Sequence, residues 1–201
     1  MLLDMAGSTS RPALRADARR NRDAILGAAR QVFAEEGPGV ALDRISSRAG
    51  VGRATMQRHF KTRADLVRAI FDDNFDQLEQ IAGEAGADPG AEYERILLAT
   101  AEMQARERGF VELFEHGGFS EEARQEIGDR FLSLVAGPLA RAQAVGRVRS
   151  DLRPDDTMLL LDMLAAAATP VGIARPADRL ERGMRLVREA IRAEGAARPL
   201  A

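Results

Sequence analysis

The chain has no cysteine, no tryptophan, one tyrosine and one lysine in 201 residues. Without cysteine there is no disulfide, no thiolate nucleophile and no cysteine-held metal, a pattern suited to a reducing cytoplasm. The two histidines, His59 and His116, lie far apart in the chain and do not suggest a metal site. Long hydrophobic runs are missing as well. The most apolar stretch, Met158–Ala168, is interrupted by Asp162 and falls well short of the ~20 residues that a bilayer-spanning helix needs. The opening Met1–Gly7 segment is too short and too quickly interrupted for a secretory leader, so we expect a soluble, cytoplasmic protein with no membrane partner. No stretch alternates apolar and polar residues as a half-buried strand would. No Gly-rich phosphate loop, nucleophile motif or paired-carboxylate signature is present. We therefore expect no catalytic residue, no metal and no cofactor.

What the chain does have is helix-forming sequence and a lopsided charge. Prolines number eight, set among long runs of Ala, Leu, Arg and Glu. The formal net charge of −2 conceals a split: residues 11–68 carry 13 basic against 6 acidic side chains, and residues 69–201 carry 16 against 24. A basic head on an acidic body is the charge footprint of a protein whose head binds nucleic acid, and equally what chance clustering of solvated arginines would leave. The sole lysine is Lys61; every other basic group is Arg.

Periodicity divides the chain. Residues 1–18 show none and read as a flexible arm, with Arg11, Arg15, Arg19 and Arg20 either free in solution or reaching a neighbouring groove. From Arg19 the spacing of Ile25, Ala28, Ala29, Val32 and Phe33 predicts an amphipathic helix, closed by Gly37-Pro38-Gly39. A short helix follows over 42–49, then the turn Gly50-Val51-Gly52, then a short helix over 53–60. A fourth helix carries Leu66, Val67, Ile70, Phe71, Asn74, Leu78 and Ile81 inward. Beyond Gly86–Gly90 we expect helices over 91–107, 109–116 and 121–145, the last capped by Ser120 and kinked at Pro138. Two more are expected over 154–168, starting at Pro154, and over 177–194.

Helix, Gly-containing turn, helix over 42–60 is the arrangement in which the second helix enters a DNA major groove and the first crosses the backbone. Met56 and Phe60, at i and i+4, are placed to pack inward. Arg53, Thr55, Gln57, Arg58 and His59 are left for the groove: Arg reads guanine or clamps phosphate, Gln reads adenine, and Thr and His hold phosphate oxygens.

Several strings occur here in order: Arg22-Asp-Ala-Ile-Leu-Gly-Ala-Ala-Arg-Gln-Val-Phe-Ala-Glu-Glu-Gly37, Ile45-Ser-Ser-Arg-Ala-Gly-Val51, Ala54-Thr-Met-Gln-Arg-His-Phe60 and Arg63-Ala-Asp-Leu66. Together they resemble the TetR/AcrR family of transcriptional regulators over residues 19–78. The resemblance implies an all-α homodimer with a three-helix DNA-binding head, a linking fourth helix and a larger C-terminal ligand-binding and dimerisation domain. It implies repression of transcription, with release from a palindromic double-stranded operator when a small-molecule inducer binds. Carried over by position, Thr55, His59 and Lys61 fall on phosphate contacts and Arg53 on a base contact. Gln57 stands where the family usually has Tyr. Val40-Ala41 stands where it commonly has Ser or Thr, which leaves the second helix without a side-chain cap and without a hydroxyl to touch phosphate; Arg44, one turn in, is the expected substitute. Arg48 and Arg63 are expected to be ion-pair partners rather than readers.

The regulatory half is less specific. Met103, Phe110, Phe114, His116, Phe119 and Phe131 either line a ligand pocket or belong to the core. Met158, Leu161 and Leu164, with Leu180, Met184, Val187 and Ile191, exceed what one helix-on-body contact must bury, and two copies packed as a four-helix bundle would cover them. The expected organisation is an arm (1–18), a helix-turn-helix domain (19–78) and a regulatory and dimerisation domain (79–201). The expected function is a ligand-released repressor. The alternative is a helical small-molecule-binding or protein-interaction regulator without ligand-controlled DNA release.

Overall fold

The computed structural model describes residues 10–37, 39–83, 88, 90–106, 119–168 and 175–193. Among them lie α1 (Ser10–Glu36), α2 (Leu42–Arg48), α3 (Arg53–His59), α4 (Arg63–Gly83), α5 (Ala91–Arg106), α6 (Glu121–Ala144), α7 (Pro154–Ala168) and α8 (Pro176–Ile191). The described residues contain no strand, only an isolated antiparallel bridge between Val148 and Arg192. The architecture is all-helical, as the missing strand alternation predicts. The expected helix over 109–116 lies outside the described residues.

Helix α1 begins at Ser10, not at Arg19 as expected. Ala13, Leu14, Arg15, Ala16 and Ala18 are good helix formers, and Pro12 in the first turn breaks no intrahelical hydrogen bond. Residues 13–17 are exposed, so the apolar periodicity marks where the helix becomes buried, not where it starts.

The chain divides into two compact units, with the described residues to Ile70 in the first and those from Phe71 in the second. The expected boundary at 78 lies further along the same helix, since α4 runs on past Ile70 without a break. In the first unit, Ile25, Leu26, Ala29, Val32 and Phe33 of α1 are buried together with Ile45, Met56, Phe60, Leu66, Val67 and Ile70. The α4 start is fixed by a reciprocal cap. The Asp65 amide donates to Thr62 Oγ1 at 3.1 Å, and the Thr62 amide donates to Asp65 Oδ2 at 2.9 Å, the two-way bonding of a capping box.

In the second unit α5 packs against α6 and α7, α6 against α7, and α7 against α8. Tyr93, Ile96 and Leu97 of α5, Val135 and Leu139 of α6, Leu161 and Leu164 of α7, and Met184, Val187 and Ile191 of α8 share one core. The fully buried Tyr93 hydroxyl lies 3.0 Å from Thr157 Oγ1, and burial pushes its pKa up. The buried Glu92 carboxylate accepts from Arg141 Nε at 3.0 Å and Nη2 at 2.7 Å on one oxygen. Ser120 Oγ accepts from the Ala123 amide at 3.3 Å, the cap expected for α6, and the helix continues through a buried Pro138. It ends on Gly146 at φ +69, where the Gly146 and Arg147 amides return to the Gln143 and Ala142 carbonyls, a Schellman closure.

Five of the residues expected at a dimer interface, Leu161, Leu164, Met184, Val187 and Ile191, are buried inside the protomer's own core, and Met158 and Leu180 pack partly against it. This burial has a simple cause: a single-sided stripe is satisfied by the nearest apolar surface, here that of the same chain. On α7 and α8 the large apolar side chains left outside are Leu159 (60% exposed), Met163 one turn on (57%) and Leu186 (49%).

Candidate nucleic-acid interface

The site is built on the turn between α2 and α3. Helix α2 ends at Arg48, and Gly50 follows at φ +67, a left-handed conformation that costs glycine little and side-chain-bearing residues more. That geometry lets the Gly50 amide reach the Ser47 carbonyl at 3.3 Å and the Val51 amide reach the Ser46 carbonyl at 3.1 Å, again a Schellman closure. Val51 is half-buried beneath the turn. The chain leaves through Gly52 in an extended conformation and starts α3 at Arg53. Gly50 therefore sets the angle between the two helices.

Helix α3 has two different sides. Met56 and the following Phe60 are buried, at 2% and 4% exposure, as their i, i+4 spacing predicts. Arg53, Gln57 and Arg58 are exposed, and Lys61 stands exposed just beyond the helix end. Thr55 is half-buried. Arg53 Nε lies 3.6 Å from Asp43 Oδ1 across the turn, a loose exposed contact that presents no barrier to a phosphate or base acceptor. Arg58 and Lys61 have no ion pair within the described residues.

Two expected DNA contacts are placed differently. Arg44 does not stand free: its Nε donates to Glu36 Oε1 at 2.9 Å. His59 is half-buried, with Nε2 covered by protein and lacking a hydrogen-bond partner. Burial, and then the charges of Arg58 and Arg22, hold its pKa below the ordinary 6.5, so the imidazole is neutral at pH 7. Arg48 pairs with Glu35 at 2.5 Å, as an ion-pair partner should, and this hydrogen bond pulls the Glu35 pKa down. Arg63 donates to the Val40 carbonyl and so ties the start of α4 to the chain just before α2. Ala41, at the N-cap of α2, offers no side-chain bond, as the sequence predicts. The capping box at Thr62–Asp65, which sets Lys61 at the helix edge, went unread in the sequence, although a hydroxyl residue followed three positions later by an acid is its signal.

In the second unit, Met103 and Phe131 belong to the shared core, and Phe119 is buried with its ring edge-on to Phe71 at 6.2 Å between centroids. Phe110, Phe114 and His116 lie outside the described residues. A cleft of about 650 Å³ bordered by Gln143, Arg149, Asp151 and Arg192 involves none of the expected pocket residues. No group of acidic or histidine side chains able to hold a metal occurs among the described residues, and no helix of theirs is long and apolar enough to cross a membrane.

Comparison with known proteins agrees with this geometry. The family model for bacterial regulatory proteins of the tetR family matches residues 25–70, and that for the SbtR-like transcriptional regulator C-terminal domain matches residues 88–193. The solved TetR transcription regulatory protein from Mycobacterium vanbaalenii is 31% identical, with 90% of this chain and 99% of that one covered at a TM-score of 0.64. A TetR transcriptional regulator from Streptomyces coelicolor is 28% identical, with coverages of 87% and 99% and a TM-score of 0.65. An HTH-type transcriptional regulator of Staphylococcus aureus is 36% identical over 64 residues, which is 31% of this chain and 35% of that protein. The chain thus spans about a third of the length of that curated relative.

Proposed function

Because the chain belongs to the TetR family of bacterial regulatory proteins, and is a DNA-binding transcriptional regulator rather than an enzyme, we propose that it is a ligand-released repressor. Its operator is a palindrome in double-stranded DNA, read by two copies of α3 set about one helical turn (~34 Å) apart. The observation that carries this reading is the two-sidedness of α3: Met56 and Phe60 brace it from within while Arg53, Gln57 and Arg58 remain outside. Arg53 and Gln57 then read base edges, and Thr55, Arg58 and Lys61 hold phosphates. His59 serves chiefly as packing at the end of α3, since its Nε2 is covered. Arg44 reaches a phosphate only by leaving Glu36.

The homodimer forms through α7 and α8, on the face that carries Leu159, Met163 and Leu186. Exposed Asp155 and Asp162 on α7 and Arg182 and Arg185 on α8 supply charges of both signs around it. A small-molecule inducer held by the second unit favours a dimer geometry that no longer matches adjacent major grooves, and the operator is released. Met103, Phe119 and Phe131, as buried apolar groups, form the wall from which such a pocket opens.

Fluorescence anisotropy against duplexes from the gene's own upstream region tests the proposal. A palindrome-dependent complex that weakens steeply with salt is expected, and R53A with Q57A should abolish its sequence preference. The absence of a salt-sensitive complex on any duplex would overturn it.

A further inference from the structure

Helix α1 extends beyond the part of the head that it helps to bury. Arg15, Arg19 and Arg22 stand at i, i+4 and i+7 on one stripe, and the same stripe continues as Leu26, Ala29 and Phe33, all buried. The arginines thus occupy, on the overhanging turns, the side that further along faces the other helices of the head. Arg15 and Arg19 are exposed and Arg22 is half-buried. None of the three has an ion pair or hydrogen bond among the described residues. The acid in this stretch, Asp17, is engaged by Arg20 away from the stripe, and Asp23, one turn beyond Arg19, makes no ion pair with it. Helix α1 packs on α3, and Arg22 lies close enough to His59 for its charge to act on that ring. The stripe therefore leads into the end of α3, where Arg58 and Lys61 are exposed.

We propose that the overhanging turns of α1 are a second DNA-contacting element, in which Arg15, Arg19 and Arg22 grip the phosphate backbone that flanks the groove entered by α3. This rests on the reading of α3 as the DNA-binding helix. From Arg15 to Arg22 the helix rises about 10 Å, a span comparable to a few phosphates at one per ~3.4 Å of duplex axis on each strand. Guanidinium groups suit this role because their planar fork bonds two phosphate oxygens at once. Such phosphate grips carry no base information, so they lengthen the footprint and raise affinity without altering the sequence read by α3.

The test compares wild type, R15Q/R19Q and R15K/R19K on a duplex with long flanks and on one trimmed to the palindrome. On the long duplex, the slope of log K against log salt should fall by about 0.9 for each phosphate left without its cation, hence about 1.8 per subunit for the Gln pair. The Lys pair, which keeps the charge, should retain the wild-type slope. On the trimmed duplex wild type and the Gln pair should coincide, and the order of preference among mutated palindromes should be the same for all three. An unchanged slope for the Gln pair on the long duplex overturns the inference, and so does a Lys pair that loses as much as the Gln pair. The second outcome would assign the side chains to packing; the first would leave the stripe to an acidic protein surface or an anionic membrane. If wild type itself gives no salt-sensitive complex on any duplex, the reading of α3 fails instead, which separates the two results.

Discussion

At Ala41 the backbone already has the extended conformation of a helix N-cap, φ −69 and ψ 145, but a methyl group stands where an oxygen would accept from the first turn of α2. A41S supplies that oxygen at an exposed position and should raise stability by about 1 kcal/mol, read as a higher urea midpoint at unchanged m-value. The opposite experiment lies at Tyr93. Y93F leaves Thr157 Oγ1 buried without its 3.0 Å partner and should cost about 1–3 kcal/mol. His59 provides a pH signature. Its folded pKa lies below 6.5 because burial disfavours the cation, so the unfolded chain binds the proton first as pH falls. The stability tied to the neutral ring is complete above about pH 6.5 and is lost as pH drops from that value through the folded one. Urea midpoints at about pH 7.5 and about pH 5.5 should therefore fall further for wild type than for H59Q; equal falls would remove His59 as the cause.

Helix ends show what local chemistry can and cannot specify. The α2–α3 turn depends on Gly50 at φ +67. G50A places a Cβ in open space, so its cost of about 1–2 kcal/mol comes from left-handed backbone strain rather than a clash. Gly183 is the reverse case: a Cβ there would meet Leu164 Cδ2 at 3.2 Å and Ala167 Cβ at 3.4 Å. G183V should then force α7 and α8 apart at a cost of about 1–3 kcal/mol, measured as a lowered thermal midpoint. Starts that carry their own capping chemistry were legible in the sequence: α6 at Ser120 and α7 at Pro154 fall where predicted. The start of α1 was not, because its first turns bury nothing and so leave no apolar periodicity. The turn and the inward pair Met56 and Phe60 were readable because spacing alone places them. The Arg44–Glu36 pair and the covered Nε2 of His59 were not, since each depends on a residue brought close by the tertiary fold rather than by the helix repeat.

For the assembled molecule, the difficulty for sequence reading was ownership. A stripe such as Leu180, Met184, Val187 and Ile191 states that a surface must be covered, not which chain covers it. The protomer buries most of that stripe itself, and Leu159, Met163 and Leu186 stay exposed on these two helices, which is the face the proposed dimer would cover. L159E/M163E should leave the helical content intact, because neither side chain belongs to the core. It should convert the dimer to monomer in sedimentation and weaken operator binding by orders of magnitude, since a single α3 reads only half a palindrome. A dimer that persisted in this variant would place the interface elsewhere.

Lys61 is the chain's sole side-chain amine, and it is exposed at the edge of the face proposed to meet DNA. An acylating reagent therefore finds one ε-ammonium on the whole polypeptide, and a duplex in place should shield it. The extent of modification at this one atom becomes a direct gauge of operator occupancy, readable by mass measurement of the peptide that carries Lys61, in the presence of any trial inducer and without labelling the nucleic acid.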